Sequence, residues 1–339
     1  MRDPIAFADL DSLPLERGPN GPSYVLDATA LETVRLAWAA RRPLLVVGEP
    51  GCGKTQLAQA LASAWEVPLL RQTAHASTQA QDLLFHIDAV ARLADAQIYG
   101  TLKSKSAKSG DAATLLNIAH YVSPGILWWA WNAASARSLL GSWPTHRKGC
   151  EPVDPYLVGG SGPASTGVVL IDEIDKAPQD VPEALLDVLD TGCFDVPWGP
   201  RRVSPQLEGR GTKARPVRPF VVITSNDSRG LPAPLLRRCV VLNLQLPNTG
   251  AEAWLAARAR AHFDIKVCPD VTVKRAAEII LFDRAEAGAD APYRPGTSEF
   301  LDLLRATVDI APRNGGKQLA LLESFAAPMT RNKRAVSIA

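Results

Sequence analysis

A glycine-rich segment near the start of the chain has the residue types and spacing of a phosphate-binding loop. Glycines let consecutive backbone N–H groups face a phosphate, a lysine reaches the terminal phosphates and a threonine hydroxyl binds magnesium. An apolar run at 43–47 precedes this phosphate loop and an alanine-rich run follows it, which favours a strand and then a helix whose N-terminus attracts an anion. The residues expected to bind the phosphates are the loop residues Gly48, Glu49, Pro50, Gly51, Cys52, Gly53, Lys54 and Thr55, together with Gln56, which follows the loop.

Two carboxylates stand at the end of a second apolar run. Residues 168–171 predict a strand that is buried on both faces, and Asp172 and Glu173 follow it directly. Ligands of open parallel sheets bind beyond the carboxyl ends of the strands, so we expect both carboxylates near the phosphate loop. There Asp172, together with Thr55, would hold a magnesium ion, and Glu173 would take the proton from an attacking water.

Residues 220–227 predict a third buried strand, apolar at 220–223 and polar at its carboxyl end, where Asn226 lies. An amide at the carboxyl end of this predicted strand can orient the attacking water. Because asparagine also starts turns, Asn226 alone is weak support. The argument depends on its position after the phosphate loop and after Asp172 and Glu173.

The composition describes an ordinary folded protein. A chain of 339 residues with 46% hydrophobic and 21% charged residues is long enough for two domains. The net charge of +2 indicates no general affinity for nucleic acid or for a membrane surface. The five cysteines lack paired spacing, which favours reduced thiols, and for Cys52 a passive side chain is favoured over a redox switch. With no apolar run of membrane-spanning length, we expect a cytoplasmic protein.

The patterning along the chain predicts an α/β fold followed by helices. Asp27 is placed to cap a helix that runs to residue 40, and a single helix is expected at 80–98. Beyond a boundary near residue 247, four helices are expected at 250–263, 271–286, 297–309 and 315–327. The predicted parts are an irregular segment at 1–26, a nucleotide-binding domain at 27–247 with a central parallel sheet between helices, a helical domain at 248–328 and a basic tail at 329–339.

Three stretches leave alternatives open. The aromatic run at 121–131 is interpreted as packing, with an exposed protein-contact ridge as the alternative. Residues 194–198 and the stretch before Phe220 are expected to pair as a hairpin whose basic part, 201–218, is either solvated or a contact surface for nucleic acid or protein. The polar stretch at 101–110 is expected to be a loop, and 141–167 a long connection.

The order of these motifs resembles that of the AAA+ ATPases and, within them, of the MoxR branch. The resemblance is carried by GEPGCGKT at 48–55, VVLIDEIDKAP at 168–178, VVITSND at 221–227 and LPAPLLRRCVVLNLQLP at 231–247, and less specifically by DLLFHIDAVARL at 82–93 and SPGILWWAWN at 123–132. It implies a three-layer αβα AAA+ domain with a helical lid, ATP and Mg²⁺ as ligands, and a ring that is usually a hexamer.

The resemblance also implies roles for single residues. Asn226 matches the first sensor of the family. Arg237 and Arg238 match the arginine-finger region, and Arg238 is preferred because it lies nearer the following strand. In the family this arginine reaches the γ-phosphate bound by the neighbouring subunit. The second sensor is Arg313 or Lys317, and Lys317 is favoured because Gln318 and Leu319 follow it at a helix start.

The function implied by the resemblance is ATP hydrolysis coupled to the remodelling or activation of a protein partner. Partners in the family often carry a von Willebrand A domain, and some belong to bacterial conflict systems. One alternative is a nucleic-acid motor or loader that uses the basic 201–218 hairpin, although the near-neutral charge argues against it. Another is a scaffold that binds ATP and rarely hydrolyses it, which would need neither Glu173 nor Asn226.

Overall fold

The computed structural model describes residues 12–14, 23–102, 116–144, 147, 149–156, 167–196, 201–208, 215–226, 229–288, 291 and 293–333. These residues form two compact units. The first comprises residues 37–45 and 65–240, and the second comprises residues 46–64 and 241–333 with the described residues before 37. The phosphate loop therefore belongs to the second unit, and Asp172 and Glu173 belong to the first.

The described elements include both strands and helices up to residue 243 and are helical beyond it. The strands are β1 (Ser12–Pro14), β2 (Ser23–Val25), β3 (Leu44–Val47), β4 (Leu69–Thr73), β5 (Phe85–Ile87), β6 (Val122–Pro124), β7 (Val168–Asp172), β8 (Phe194–Val196), β9 (Arg201–Val203), β10 (Leu207–Glu208), β11 (Arg215–Pro216), β12 (Phe220–Ser225) and β13 (Val240–Asn243). The α-helices are α1 (Ala28–Ala40), α2 (Lys54–Ala64), α3 (Ala80–Leu84), α4 (Ala89–Leu102), α5 (Ile126–Gly141), α6 (Asp180–Ala184), α7 (Leu186–Thr191), α8 (Ala233–Arg238), α9 (Ala251–His262), α10 (Asp270–Ala287), α11 (Thr297–Ile310) and α12 (Gly315–Ala326).

The central feature is a five-stranded parallel sheet with the strand order β13-β3-β12-β7-β4. Strand β7 pairs in parallel with β4 and with β12, and Val168 lies beside Leu69 on one side and Phe220 on the other. Every residue of β7 and β12 is buried. Continuous apolar runs form strands of this kind because helices cover both faces of a parallel sheet. The predicted fold class is confirmed.

The helix expected at 80–98 is divided by a short strand. Helix α3 ends at Leu84, and β5 pairs antiparallel with β6 so that Phe85 lies beside Pro124. The buried Phe85 ring stacks on Phe194 with a centroid separation of 6.4 Å. This packing, together with the strand preference of an aromatic and a β-branched residue in Phe-His-Ile, outweighs the helical spacing. The expectation of a single helix was wrong. Val90 and Leu93, which a continuous helix would place on the same apolar side as Leu83, are exposed.

The aromatic run at 121–131 packs inside the first unit. Tyr121, Trp128, Trp129 and Trp131 are all buried. The indole Nε1 of Trp128 donates a hydrogen bond of 2.7 Å to Ser135 Oγ, which satisfies its polar group. The packing interpretation is confirmed, and the exposed-ridge alternative is wrong.

The hairpin expected from residue 194 onwards is built differently. Strand β8 pairs with β9, and Phe194 lies beside Val203, while β10 pairs separately with β11. Pairing with the nearer segment closes a shorter loop and so costs less chain entropy. Of the basic residues at 201–218, Arg202 and Arg218 are exposed, whereas Arg210, Lys213 and the side chains of Arg201 and Arg215 lie outside the described residues. So do residues 103–110 of the expected polar loop and most of 157–167.

Of the first elements of the second unit, the sequence predicted the start of α1 but not the strands β1 and β2. Strands β1 and β2 pair antiparallel where an irregular segment was expected. Asp27 caps α1 as predicted, because its Oδ1 accepts a 2.7 Å hydrogen bond from the Ala30 N–H.

The four helices expected beyond residue 247 are confirmed within two residues at each end. They pack around one apolar core, which includes Leu255, Ile280, Phe300, Leu304 and Leu322. A buried amide joins three segments of this region, since Gln318 accepts from Thr272 Oγ1 and donates to two backbone carbonyls. The boundary at 247/248 stays a prediction. Of the helices that the structure describes, none has the length and apolar character needed to cross a bilayer.

Candidate functional site

The backbone of the phosphate loop, between β3 and α2, has the conformation that its glycines predict. Gly51 and Gly53 have φ angles of +77° and +96°, which glycine adopts without strain. A Cβ atom on Gly48 would overlap the carbonyl oxygen of Leu244, and one on Gly51 would overlap the Ser298 hydroxyl. The loop is thus held against the end of β13 and against the start of α11.

Lys54 places a buried positive charge inside this loop. Its side chain is almost fully buried, and its Nζ donates to the carbonyl oxygens of Gly48 at 2.8 Å and of Glu49 at 2.9 Å. Among the described residues, no carboxylate pairs with Lys54. A buried ammonium group without a counter-ion is costly, so the loop fits an anionic phosphate. The N-terminus of α2, which begins at Lys54, adds a favourable dipole.

Two arginines of the helical region contact the loop through Glu49. Arg284 Nη2 in α10 donates to both carboxylate oxygens of Glu49, at 2.8 and 2.6 Å. Arg294 Nη1, just before α11, donates to one of them at 3.2 Å. Sequence reasoning missed both arginines. The available signal was local: the start of α11 at Gly296, whose N–H bonds the Glu299 carboxylate, places Arg294 directly before a helix.

The two residues predicted as second sensor do not lie against the phosphate loop. Lys317 and Arg313 are exposed. The backbone N–H of Lys317 donates to Asn314 Oδ1 at 3.0 Å, which caps α12. In the described part of the chain, neither side chain contacts the phosphate loop. The role of Lys317 stays a prediction.

Cys52 is buried within the phosphate loop. Burial raises the pKa of its thiol above the usual 9.0, and the nearby Lys54 ammonium only partly offsets this. The thiol is therefore protonated at neutral pH and poorly reactive. This supports the interpretation of Cys52 as a passive side chain.

The first unit contains the two carboxylates that were predicted to follow a strand. Asp172, at the end of β7, is buried, and its Oδ1 accepts a 2.6 Å hydrogen bond from Thr224 Oγ1. Its Oδ2 accepts a 2.7 Å charged hydrogen bond from Arg71 Nη2. Magnesium is usually held by one or two carboxylates together with phosphate oxygens and water. Asp172 fits such a ligand, and no cluster of three metal-binding side chains was found in the described ranges.

Glu173 has a left-handed backbone, with φ 57° and ψ 46°. Such a conformation of a non-glycine residue costs about 1–3 kcal/mol and is concentrated at functional sites. Its N–H donates to Thr224 Oγ1 at 2.8 Å, and its carboxylate accepts from Lys176 Nζ at 2.7 Å and from Asn226 Nδ2 at 3.3 Å. The Asn226 N–H in turn donates to Asp175 Oδ1 at 3.2 Å. Several hydrogen bonds therefore keep Glu173 in this strained backbone conformation.

The structure thus brings Asp172, Glu173 and Asn226 together, as the sequence predicted. It adds residues that sequence reasoning missed: Arg71, Asp175, Lys176 and Thr224. Thr224 could have been found from the register, since Ile223 pairs with Ile171 and the next residues along the two strands are Thr224 and Asp172. Its hydroxyl links Asp172 to the backbone of Glu173.

The two arginines at the end of α8 are on the surface. Arg238 Nε donates to Asp190 Oδ2 at 2.6 Å, and the side chains are 40% and 47% exposed. An ion pair this exposed contributes about 0–1 kcal/mol, so it holds Arg238 only weakly. The carbonyl oxygen of Arg237 accepts from Arg42 Nη1 at 3.0 Å.

A family model described as an AAA domain of the dynein-related subfamily matches residues 43–239, more than half of the chain. The chain belongs to this AAA family. The match includes the phosphate loop, the two carboxylates, Asn226 and the α8 arginines. Nucleotide binding and ATPase activity follow from membership of the AAA family. The helices beyond residue 239 lie outside the matched range.

Solved structures with some likeness to this AAA chain include three single-residue variants of RuvB from Thermotoga maritima. The first is 15% identical with a TM-score of 0.44, and the match covers 87% of this chain and 69% of that one. The others are 15% and 16% identical, with TM-scores of 0.40 and 0.42, and cover 86% of this chain and 66% of theirs. Likeness of this degree carries no argument about fold or function. No curated protein matches this chain.

Proposed function

We propose that this AAA chain is a Mg²⁺-dependent ATPase of the MoxR branch, which works in a homo-oligomeric ring, usually hexameric in that branch, to remodel or activate a protein partner. The proposal rests on the ordered motifs and on the chemistry of the residues around them. The observation that carries it is the arrangement at Asp172 and Glu173. The Thr224 hydroxyl donates to the buried carboxylate of Asp172 and accepts from the backbone N–H of Glu173, whose backbone is left-handed.

The phosphate loop binds and orients the substrate. Its backbone N–H groups and the Lys54 ammonium neutralise phosphate charge, and Gln56 follows at the start of the helix. Thr55 and Asp172 would hold the metal. Mg²⁺, when bound, supplies a positive charge that offsets charge on the phosphate oxygens. Arg71, which bonds Asp172 Oδ2, is a positioning residue for this carboxylate.

Glu173 acts as the general base. Its carboxylate takes a proton from the attacking water, and the Asn226 amide orients that water and the carboxylate together. Lys176 and Asn226 hold the Glu173 side chain in one orientation. Because these hydrogen bonds already orient the Glu173 carboxylate, little side-chain movement is needed before proton transfer.

Arg238 serves the ATP bound by the neighbouring subunit, with Arg237 as the second candidate. Its weak surface pairing leaves the guanidinium available for a subunit contact. A basic residue of the helical lid acts as second sensor. The family resemblance favours Lys317, and contact with the phosphate loop favours Arg284 and Arg294.

The client of this ATPase is proposed to be a protein. Proteins with a von Willebrand A domain in a bacterial conflict system are the candidates. The site of action is proposed to be the cytoplasm, without membrane insertion. The nucleic-acid alternative depends on the basic residues of 201–218. Of these, Arg202 and Arg218 are exposed, whereas Arg210, Lys213 and the side chains of Arg201 and Arg215 lie outside the described residues.

The variant Glu173→Gln tests the hydrolytic role. It keeps the side-chain shape and removes the base, so we expect ATP binding to be retained and kcat to fall at least about 10²-fold. Asp195→Asn, an exposed carboxylate in β8, is the matched control and should leave kcat unchanged. ATP turnover by Glu173→Gln at the wild-type rate would refute the proposed role.

A further inference from the structure

A pocket lies in the first unit, at the amino ends of the strands of the central sheet, whereas Asp172 and Asn226 lie at the carboxyl ends. It has a volume of about 670 Å³ and is lined where β3 and β12 begin, by residues that include Pro43 and Pro219. The nucleotide chemistry of parallel sheets belongs to their carboxyl ends. This pocket, at the amino ends of two neighbouring strands, is therefore separate from the acidic residues described above.

Aromatic rings form much of the pocket wall. Trp38 of α1, Trp131 of α5 and Phe220 of β12 all line it. The rings of Trp38 and Phe220 are 6.1 Å apart and tilted by 48°. Trp131 and Phe220 are buried and Trp38 is half-buried, so the indole of Trp38 is the accessible one of the three rings. Such a wall favours a flat apolar group.

Three exposed arginines line the same pocket: Arg41, Arg42 and Arg218. Of the described residues that line it, none is Asp or Glu, and in the described part of the chain no carboxylate pairs with any of the three. Arg42 uses Nη1 to bond the Arg237 carbonyl. The dipole of α1 accounts for cations just after its C-terminus, at 41 and 42, but not for Arg218, which follows no helix.

We propose that this pocket binds an organic anion that combines a flat apolar body with a carboxylate or phosphate group. Its volume is that of small-molecule sites, which run from about 300 to 1,000 Å³. The apolar body lies against the partly accessible indole of Trp38, which the buried Phe220 ring supports from behind. The anionic group bonds the guanidinium groups of Arg41 and Arg218. The anion is either a free small molecule or an aromatic, acidic segment of a partner protein, because both present the same chemistry.

The test uses two fluorescent probes that differ in charge: dansylglycine, an aromatic carboxylate, and dansylamide, its neutral counterpart. Both are titrated into the full chain saturated with Mg-ADP, so that the phosphate loop is occupied. We expect one dansylglycine per chain, with an affinity at least about tenfold higher than that of dansylamide. Arg41→Gln/Arg218→Gln should remove this preference and leave dansylamide binding unchanged.

Two further variants keep the result interpretable. Arg218→Gln alone should lose part of the preference, which covers the case in which the double variant does not fold. Arg229→Gln removes an exposed arginine outside the pocket and should change nothing. Equal affinity for the two probes, or an undiminished preference in Arg218→Gln and in the double variant, would overturn the proposal.

Competition then distinguishes the two sources of the anion. Displacement of dansylglycine by N-acetyltryptophan indicates that a small aromatic carboxylate is sufficient. Displacement only by an acidic peptide, acetyl-Glu-Asp-Trp-Glu-Asp-amide, indicates a segment of a partner protein. Displacement by neither competitor would contradict the assigned ligand class.

Discussion

The carboxylate of Glu49 in the phosphate loop is bound by the guanidinium of Arg284 through hydrogen bonds of 2.6 and 2.8 Å, although the residues are 235 positions apart. The backbone carbonyl of the same Glu49 accepts a bond from Lys54 Nζ. One residue of the loop therefore holds the phosphate-binding lysine with its main chain and α10 with its side chain. This pair therefore bonds the phosphate loop directly to α10.

Neutralising Glu49 and neutralising Arg284 should change the nucleotide affinity in opposite directions. Glu49→Gln removes a negative charge beside the phosphate site and frees Arg284, so we expect Mg-ADP to bind more tightly, by roughly two- to fivefold. Arg284→Gln leaves the Glu49 charge less compensated and should weaken binding by a similar factor. Dissociation constants from calorimetry measure both effects.

The matched control for this pair is Arg275→Gln. Arg275 is an exposed arginine in the same helix and pairs with Glu323, so its loss should leave nucleotide affinity unchanged. Lys317→Ala, measured in parallel, separates the second sensor favoured by the resemblance from the arginines that contact the loop. An equal change in Arg275→Gln and Arg284→Gln would contradict a specific role for the Glu49 contact.

Thr224 should be required for both stability and turnover. Its buried hydroxyl donates to Asp172 and accepts from the Glu173 N–H. Thr224→Val keeps the shape and leaves both partners short of one bond, so we expect a loss of about 1–3 kcal/mol in the free energy of unfolding and a lower kcat. Urea unfolding and ATP turnover measure the two effects.

Thr224→Ser supplies the control, since it restores the hydroxyl and should recover most of the turnover. If Thr224→Val retained wild-type kcat, the hydroxyl would have no positioning role.

Arg238→Ala should remove hydrolysis without affecting folding. Because its pair with Asp190 is exposed, the variant should unfold at nearly the wild-type urea concentration. Loss of an arginine that acts across a subunit contact should lower kcat on the order of 10³-fold. Wild-type specific activity should also rise with protein concentration as the ring assembles.

Asp190→Ala separates this role from a structural one. It breaks the same ion pair and keeps Arg238, so hydrolysis should persist. Equal loss of turnover in Asp190→Ala and Arg238→Ala would show that the ion pair itself is what matters.

Cys52 should resist alkylation at neutral pH. Burial raises the pKa of its thiol, so the protonated form predominates below the usual value of 9.0 and the thiolate becomes available only at higher pH. With iodoacetamide at about pH 7.5, the exposed Cys150 should be labelled first, as measured by peptide mass spectrometry. Rapid labelling of Cys52 at this pH would favour the redox-switch hypothesis instead.

Local patterns in the sequence were sufficient for the framework of this protein. The apolar runs of β7 and β12, the glycine spacing of the phosphate loop and the periodicity of the four C-terminal helices are short-range signals, and short-range preferences determine them. Asp172, Glu173 and Asn226 could be expected together because the carboxyl ends of parallel strands lie on one edge of a sheet.

Other features were decided only by tertiary structure. Phe85 interrupts a helical pattern because its ring packs on Phe194, and Glu49 meets Arg284 because α10 folds back onto the loop. Side-chain contacts of this kind depend on strand register and helix packing, which the periodicity of a single segment does not contain. The sequence therefore determined which residues could bind and hydrolyse a nucleotide, and the packing determined which residues hold them in place.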